Sequence, residues 1–89
     1  MDNVIRDDEA RVNITYSGQN GDLADPVSVN ASDADIRAWI TEAVQGGNVP
    51  GITVNGQVDF TDFVIDRFAP TEVRPFNLIA ARPKTPFGG

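Results

Sequence analysis

Between Ser32 and Gly47 the sequence specifies one amphipathic helix, and on both sides of it the apolar residues alternate instead. Ser32 is a natural N-cap, because its side-chain oxygen can accept from a backbone N–H that the first turn leaves unpaired. Asp33 and Asp35 fall in that first turn, where the helix dipole favours negative charge. Ile36, Trp39, Ile40, Ala43 and Val44 recur at the i, i+3, i+4, i+7, i+8 spacing and make a single apolar stripe. Trp39 is placed in the core by its position in that stripe. Gly46-Gly47 ends the helix. One helix with one apolar face must lie across a second layer, and the flanking alternation says what that layer is.

Val12, Ile14 and Tyr16 point one way along an extended chain while Asn13 and Thr15 point the other, which predicts a half-buried strand. The turn formers Ser17 to Asp22 follow, and then a second alternating run, Val27-Ser28-Val29, begins after Pro26. Together they predict an N-terminal hairpin with a long loop. Beyond the helix, Ile52-Thr53-Val54 and Gln57-Val58-Asp59-Phe60 flank Asn55-Gly56, a strong short-range hairpin signal. Phe60, Phe63, Val64 and Phe68 have helical spacing, so a short α or 3₁₀ segment is expected over 61–69, closed by Pro70. Phe76, Leu78 and Ala80 mark a final strand. The expected architecture is α+β: a mixed four- to five-stranded sheet with one main helix packed on one face. Residues 1–10, with Asp7-Asp8-Glu9 in a row, are expected as a mobile acidic arm, 11–81 as the domain and 82–89 as a flexible tail.

Eighty-nine residues make one domain rather than two. A domain of this size buries roughly 60–65% of the surface its unfolded chain exposes. The sequence has no cysteine and no histidine, so disulfides, thiolate metal sites, Ser-His-Asp triads and Cys-His dyads are all absent. Its net charge is −6, from thirteen acids and seven bases. Such a surface repels phosphate backbones and anionic membranes, so neither nucleic acid nor lipid is expected as a partner. No apolar run approaches the roughly 20 residues that span a bilayer. The acidic start, Met1 to Arg11, does not have the basic-then-apolar pattern of a signal peptide, and the sequons at Asn13 and Asn30 are then chance. A cytoplasmic monomer is expected.

The chain's last residues are Arg82-Pro83-Lys84-Thr85-Pro86-Phe87-Gly88-Gly89. Element order, the Val54-Asn55-Gly56 turn and the Gly88-Gly89 pair resemble the ubiquitin-like β-grasp superfamily, which includes ubiquitin and the sulfur carriers of thiamin and molybdopterin synthesis. The resemblance covers roughly residues 11–89 and implies a β-grasp fold whose first and last strands are central neighbours. It implies that an adenylating enzyme of the ubiquitin-activating type activates the Gly89 carboxylate, with a conjugating enzyme and a JAB-type protease as further partners. The chain would supply the acyl group and no catalysis, and would need no cofactor. Gly88 and Gly89 lack a Cβ and can thread a narrow channel close to catalytic backbone. Pro83 and Pro86 hold the preceding residues extended. Arg82, Lys84 and Phe87 are the candidate tail-recognition residues, although Arg82 and Lys84 read equally well as solvated charges.

Sulfur carriers usually have a Gly-Asp turn before the last strand and a Pro-Val stretch before the glycines. Here Glu72-Val73-Arg74-Pro75 and Thr85-Pro86-Phe87 stand in those places, which favours a modifier forming isopeptide bonds over a carrier forming a thiocarboxylate. A non-enzymatic interaction module, such as a phage or virion assembly protein, is the third alternative. Lys84 is the single lysine, so single modification is expected over chain building. Asp62 and Asp66, i and i+4 on a helix, could with Asp59 bind a hard cation, but a solvated acidic face is the better account. The loop Asn20 to Asp25 lacks the ligand spacing of a calcium-binding EF-hand, and Gln45 to Gly51 lacks the Lys-Ser/Thr of a phosphate loop.

Overall fold

The computed structural model describes residues 5–84. In chain order its elements are β1 (Glu9–Tyr16), β2 (Gln19–Asp22), β3 (Val27–Ser28), α1 (Asp33–Gln45), β4 (Val64–Phe68) and β5 (Asn77–Arg82). The fold is α+β, with all five strands in one mixed sheet of order β2-β1-β5-β4 and β3 paired to β1 off that path. The first and last strands are central neighbours and run parallel, from Ala10↔Asn77 through Val12↔Ile79 to Ile14↔Ala81. β2 and β3 both pair antiparallel to β1, β2 along its second half and β3 at Glu9 and Ala10. β4 closes the other side, antiparallel to β5.

The helix forms as its sequence predicts. Ser32 is extended and its hydroxyl accepts from the Asp35 N–H, and Gly46 caps the C-terminus with its own N–H on the Glu42 carbonyl. Ile36, Ile40 and Val44 are buried, and they meet Ala10, Val12 and Ile14 of β1 and Ile79 and Ala81 of β5 in one core. Val49, Ile52, Val58, Phe60 and Phe63 complete it from the long connection between α1 and β4. Phe60 and Phe63 meet edge-on at 4.5 Å between centroids, with Tyr16 against both. Among the described residues no polar or charged side chain is buried, so the core rests on apolar packing alone.

Several local expectations are overturned. The sheet begins at Glu9, and Ala10 is fully buried, so the acidic arm gives up its last two residues to β1. Gln19–Asp22 is a strand rather than turn, because Ser17 (φ 53°) and Gly18 (φ 77°) alone reverse the chain with the positive φ that a tight hairpin requires. β1 therefore hairpins with β2, not with the run at Val27. The segments around Asn55-Gly56 form no ladder. Their backbone is held by side chains instead: Gln19 donates to the Thr53 carbonyl and accepts from the Thr53 N–H, and Gln45 accepts from the Val58 N–H. Ile52, Val58 and Phe60 are drawn into the core, which fixes the segment without a partner strand. Residues 64–68, expected helical, are extended because pairing with β5 overrides their local spacing. Leu78 and Ala80 form the outer row of β5, while Ile79 and Ala81 face the core. The strand also takes in Arg82, which moves the start of the tail to Pro83.

β2 and the loop at Val49 to Gly51 approach so closely that no side chain fits between them. A methyl group at Gly21 would overlap the Pro50 carbonyl oxygen and lie 2.8 Å from Val49 Cγ1. Gly21→Ala should therefore lower stability by about 1–3 kcal/mol, the usual cost of overpacking, in a urea titration. An unchanged midpoint would mean that this loop does not rest on β2.

Candidate functional site

Two of the five tail residues singled out from the sequence, Arg82 and Lys84, lie within the described structure. Phe87, Gly88 and Gly89 lie outside the described residues. Arg82 is the last residue of β5, and its guanidinium is committed: Nε and Nη2 lie 2.8 and 2.7 Å from Asp66 Oδ2 on the neighbouring β4. It is thus anchored to the sheet and is not a free tail charge. An exposed pair of this kind contributes about 0–1 kcal/mol, so its effect is to fix where β5 ends more than to stabilise the domain. Lys84 is exposed and makes no ion pair among the described residues.

The parallel register sets the direction in which the chain leaves. With Ile14 beside Ala81, the end of β5 lies along the second half of β1 and close to the Ser17-Gly18 turn. Pro83 and Lys84 therefore continue from a central strand of the sheet, between β1 and β4.

On the sheet face away from the helix, β5 presents Leu78 and Ala80 between Arg11, Asn13 and Thr15 of β1 and Val64, Asp66 and Phe68 of β4. Asn13 joins this face to β2, donating to Asn20 Oδ1 and Asp22 Oδ1 at 3.0 and 2.7 Å, while Asn20 donates back to Asn13 and to Thr15. The oxygens of Asn20 and Asp22 are thus already used within the sheet. Phe76 lies under the guanidinium groups of Arg11 and Arg74, 5.8 and 5.6 Å from its ring centroid.

The three carboxylates weighed for acid–base or cation chemistry do not converge. Asp66 is on a strand with Arg82, not on a helix with Asp62. Asp59 accepts the Thr61 N–H at 2.8 Å and closes its own turn. Among the described residues no three His, Cys, Asp or Glu side chains are gathered to hold a metal ion. The glycine-rich stretch after α1 ends the helix and buries Val49.

Sequence reasoning placed Trp39 in the core, but the structure leaves it 40% exposed. It lies at the margin of the apolar stripe, where Ile36, Ile40 and Val44 already fill the space under the helix. The signal for this was the width of the stripe, since five apolar positions are more than a helix lying on one narrow sheet can bury. No helix among the described residues is long and apolar enough to cross a membrane. No family model, curated protein or solved structure matches the chain.

The Thr61 side chain and then its backbone N–H hold the Asp59 carboxyl below the usual carboxylate range. Because the folded value lies below the unfolded one, the stabilisation from this turn is present above the unfolded value and lost as pH falls through the folded one. In an NMR titration Asp59 should protonate at lower pH than an unperturbed aspartate, and Thr61→Val should move it part of the way back. No movement in the variant would remove the hydroxyl as the cause.

Proposed function

We propose that this chain is a β-grasp protein modifier, activated at the carboxylate of Gly89 and joined through it to amines on other proteins. The observation that supports this most is the parallel pairing of the first and last strands at the centre of the sheet. That pairing, with one helix crossing between the N-terminal and C-terminal strands, is the arrangement the β-grasp fold requires. It also places Pro83 and Lys84, which precede the residues carrying Gly88-Gly89, directly after a central strand. Conjugation needs a carboxylate on Gly89, present from the outset or released by a protease that cuts behind it.

The chemistry follows from that carboxylate. One of its oxygens attacks the α-phosphorus of ATP, pyrophosphate leaves, and a mixed anhydride with AMP forms. A thiol or amine then attacks the acyl carbon, AMP departs, and the nucleophile loses its proton. The adenylating enzyme supplies catalysis, and this chain supplies the acyl group. Pro83 and Pro86 limit the conformations lost when the tail enters a channel. Lys84 is the single side-chain amine, so the domain itself offers no acceptor for chain extension.

An N-terminally tagged chain expressed in its native cells tests this directly. Trypsin cuts after Lys84 and not at the Arg82-Pro83 bond, so it should leave Thr85-Pro86-Phe87-Gly88-Gly89 on modified amines of target proteins. Deleting Gly88-Gly89 should abolish these branched peptides. A free chain whose terminal carboxylate has exchanged oxygen for sulfur would assign a sulfur carrier instead, and an unmodified chain would leave only an interaction module.

A further inference from the structure

The two faces of this protein differ in how their charges are paired. On the open sheet face Arg11 and Arg82 stand beside Asp22 and Asp66, with Arg74 nearby over Phe76, while Arg67 reaches the helix side to bind Asp33 and the Ala31 carbonyl. Two guanidiniums lie on the helix side and both are engaged: that of Arg67, and that of Arg37, which turns inward and donates to the Phe63 carbonyl at 2.8 Å. Asp25, Asp35, Glu42 and Asp59 make no ion pair among the described residues. The half-exposed Trp39 shares one groove with Glu42 and Asp59 and another with Asp25.

Trp39 separates two grooves. One runs between α1 and the connection that follows it, lined by Glu42, Asp59 and Phe60 and also by Arg37, whose guanidinium is held to the Phe63 carbonyl. The other runs between α1 and the segment before β3, with Leu23, Pro26 and Asp25. Both grooves therefore combine the indole, an apolar wall and an unpaired carboxylate. Ala34 and Ala38 keep the helix surface low beside the first.

We propose that Trp39 and its two grooves form a docking surface for a basic protein segment, with an arginine or lysine side chain over the indole and an apolar neighbour in a groove. Charge complementarity carries the choice of partner. A cation on the indole face gains from the ring quadrupole, and the same cation comes within the field of Glu42, Asp59 and Asp25. An exposed tryptophan beside an apolar wall is the kind of residue on which binding energy concentrates. The surface is built from residues 23–61 and requires no chemistry at Gly89.

The chain's single tryptophan reports on this site without a label. The probe is a synthetic peptide of alternating arginine and leucine, with a glutamate-for-arginine peptide as its control. Titration into the full chain should give a saturable change in tryptophan fluorescence that weakens as salt is raised. Asp25→Lys with Glu42→Lys should weaken binding by roughly tenfold or more. Glu72→Lys, which changes charge in the turn before β5, should leave it within about twofold. Trp39→Phe, followed by calorimetry, should weaken binding while keeping the fold by circular dichroism. The proposal is overturned by an absence of saturation, by equal response to the acidic peptide, by an equal loss in Glu72→Lys, or by full affinity in Trp39→Phe.

Discussion

β2, β3 and β5 all pair with β1, β4 joins the sheet through β5, and β1 is tied to the sheet's last strand by its parallel ladder with β5. That ladder brings Ala10 beside Asn77, closing nearly the whole length of the described chain in one contact. Closing so long a loop costs conformational entropy before any contact offsets it. What offsets it is the row of Ala10, Val12, Ile14, Ile79 and Ala81, each essentially removed from water. Asn77 adds a clamp, donating from one amide to the carbonyls of Asp7 and Glu9 at 3.0 and 2.9 Å. Pairing between segments so far apart in sequence is intrinsically slow to form.

The helix depends on this pairing for its place. Ile36, Ile40 and Val44 have a floor only because β1 and β5 lie side by side, and the aromatic group of Tyr16, Phe60 and Phe63 seals one end. The connection from Val49 to Phe63 then needs no ladder of its own. Its apolar side chains plug the remaining gap, and two glutamines satisfy part of its backbone. The distribution of charge pairing follows too. On the outer rows of β1 and β5, Arg11 and Arg82 meet Asp22 and Asp66, whereas Asp25, Asp35, Glu42 and Asp59 on the helix side make no ion pair among the described residues.

Much of this was legible in the residues. The helix could be read to within a residue, because cap, period and stop all pointed the same way. β1 was legible from its strict alternation, and the central pairing of first and last strands was what the β-grasp resemblance implied. What failed were inferences from short local signals. Asn55-Gly56 sits in a turn with no strands to join, since Ile52 and Val58 found better burial in the core than in a hairpin. Phe63 to Phe68 has helical spacing that a neighbouring strand overrode. The phase of β5 was hidden because both of its rows, Leu78 with Ala80 and Ile79 with Ala81, are apolar. For the candidate site, Arg82 belongs to the strand because its partner Asp66 is sixteen residues away in sequence, a distance no local pattern reveals.

The parallel β1–β5 ladder is the claim on which core, helix placement and tail direction all rest. NMR of the isotope-labelled chain tests it most directly, through cross-strand contacts and amide exchange. The predicted result is a set of parallel cross-strand contacts in the register Val12 beside Ile79, with β1 and β5 amides among the last to exchange. Antiparallel contacts between these strands, or β5 amides that exchange as early as those around Asn55-Gly56, would contradict it.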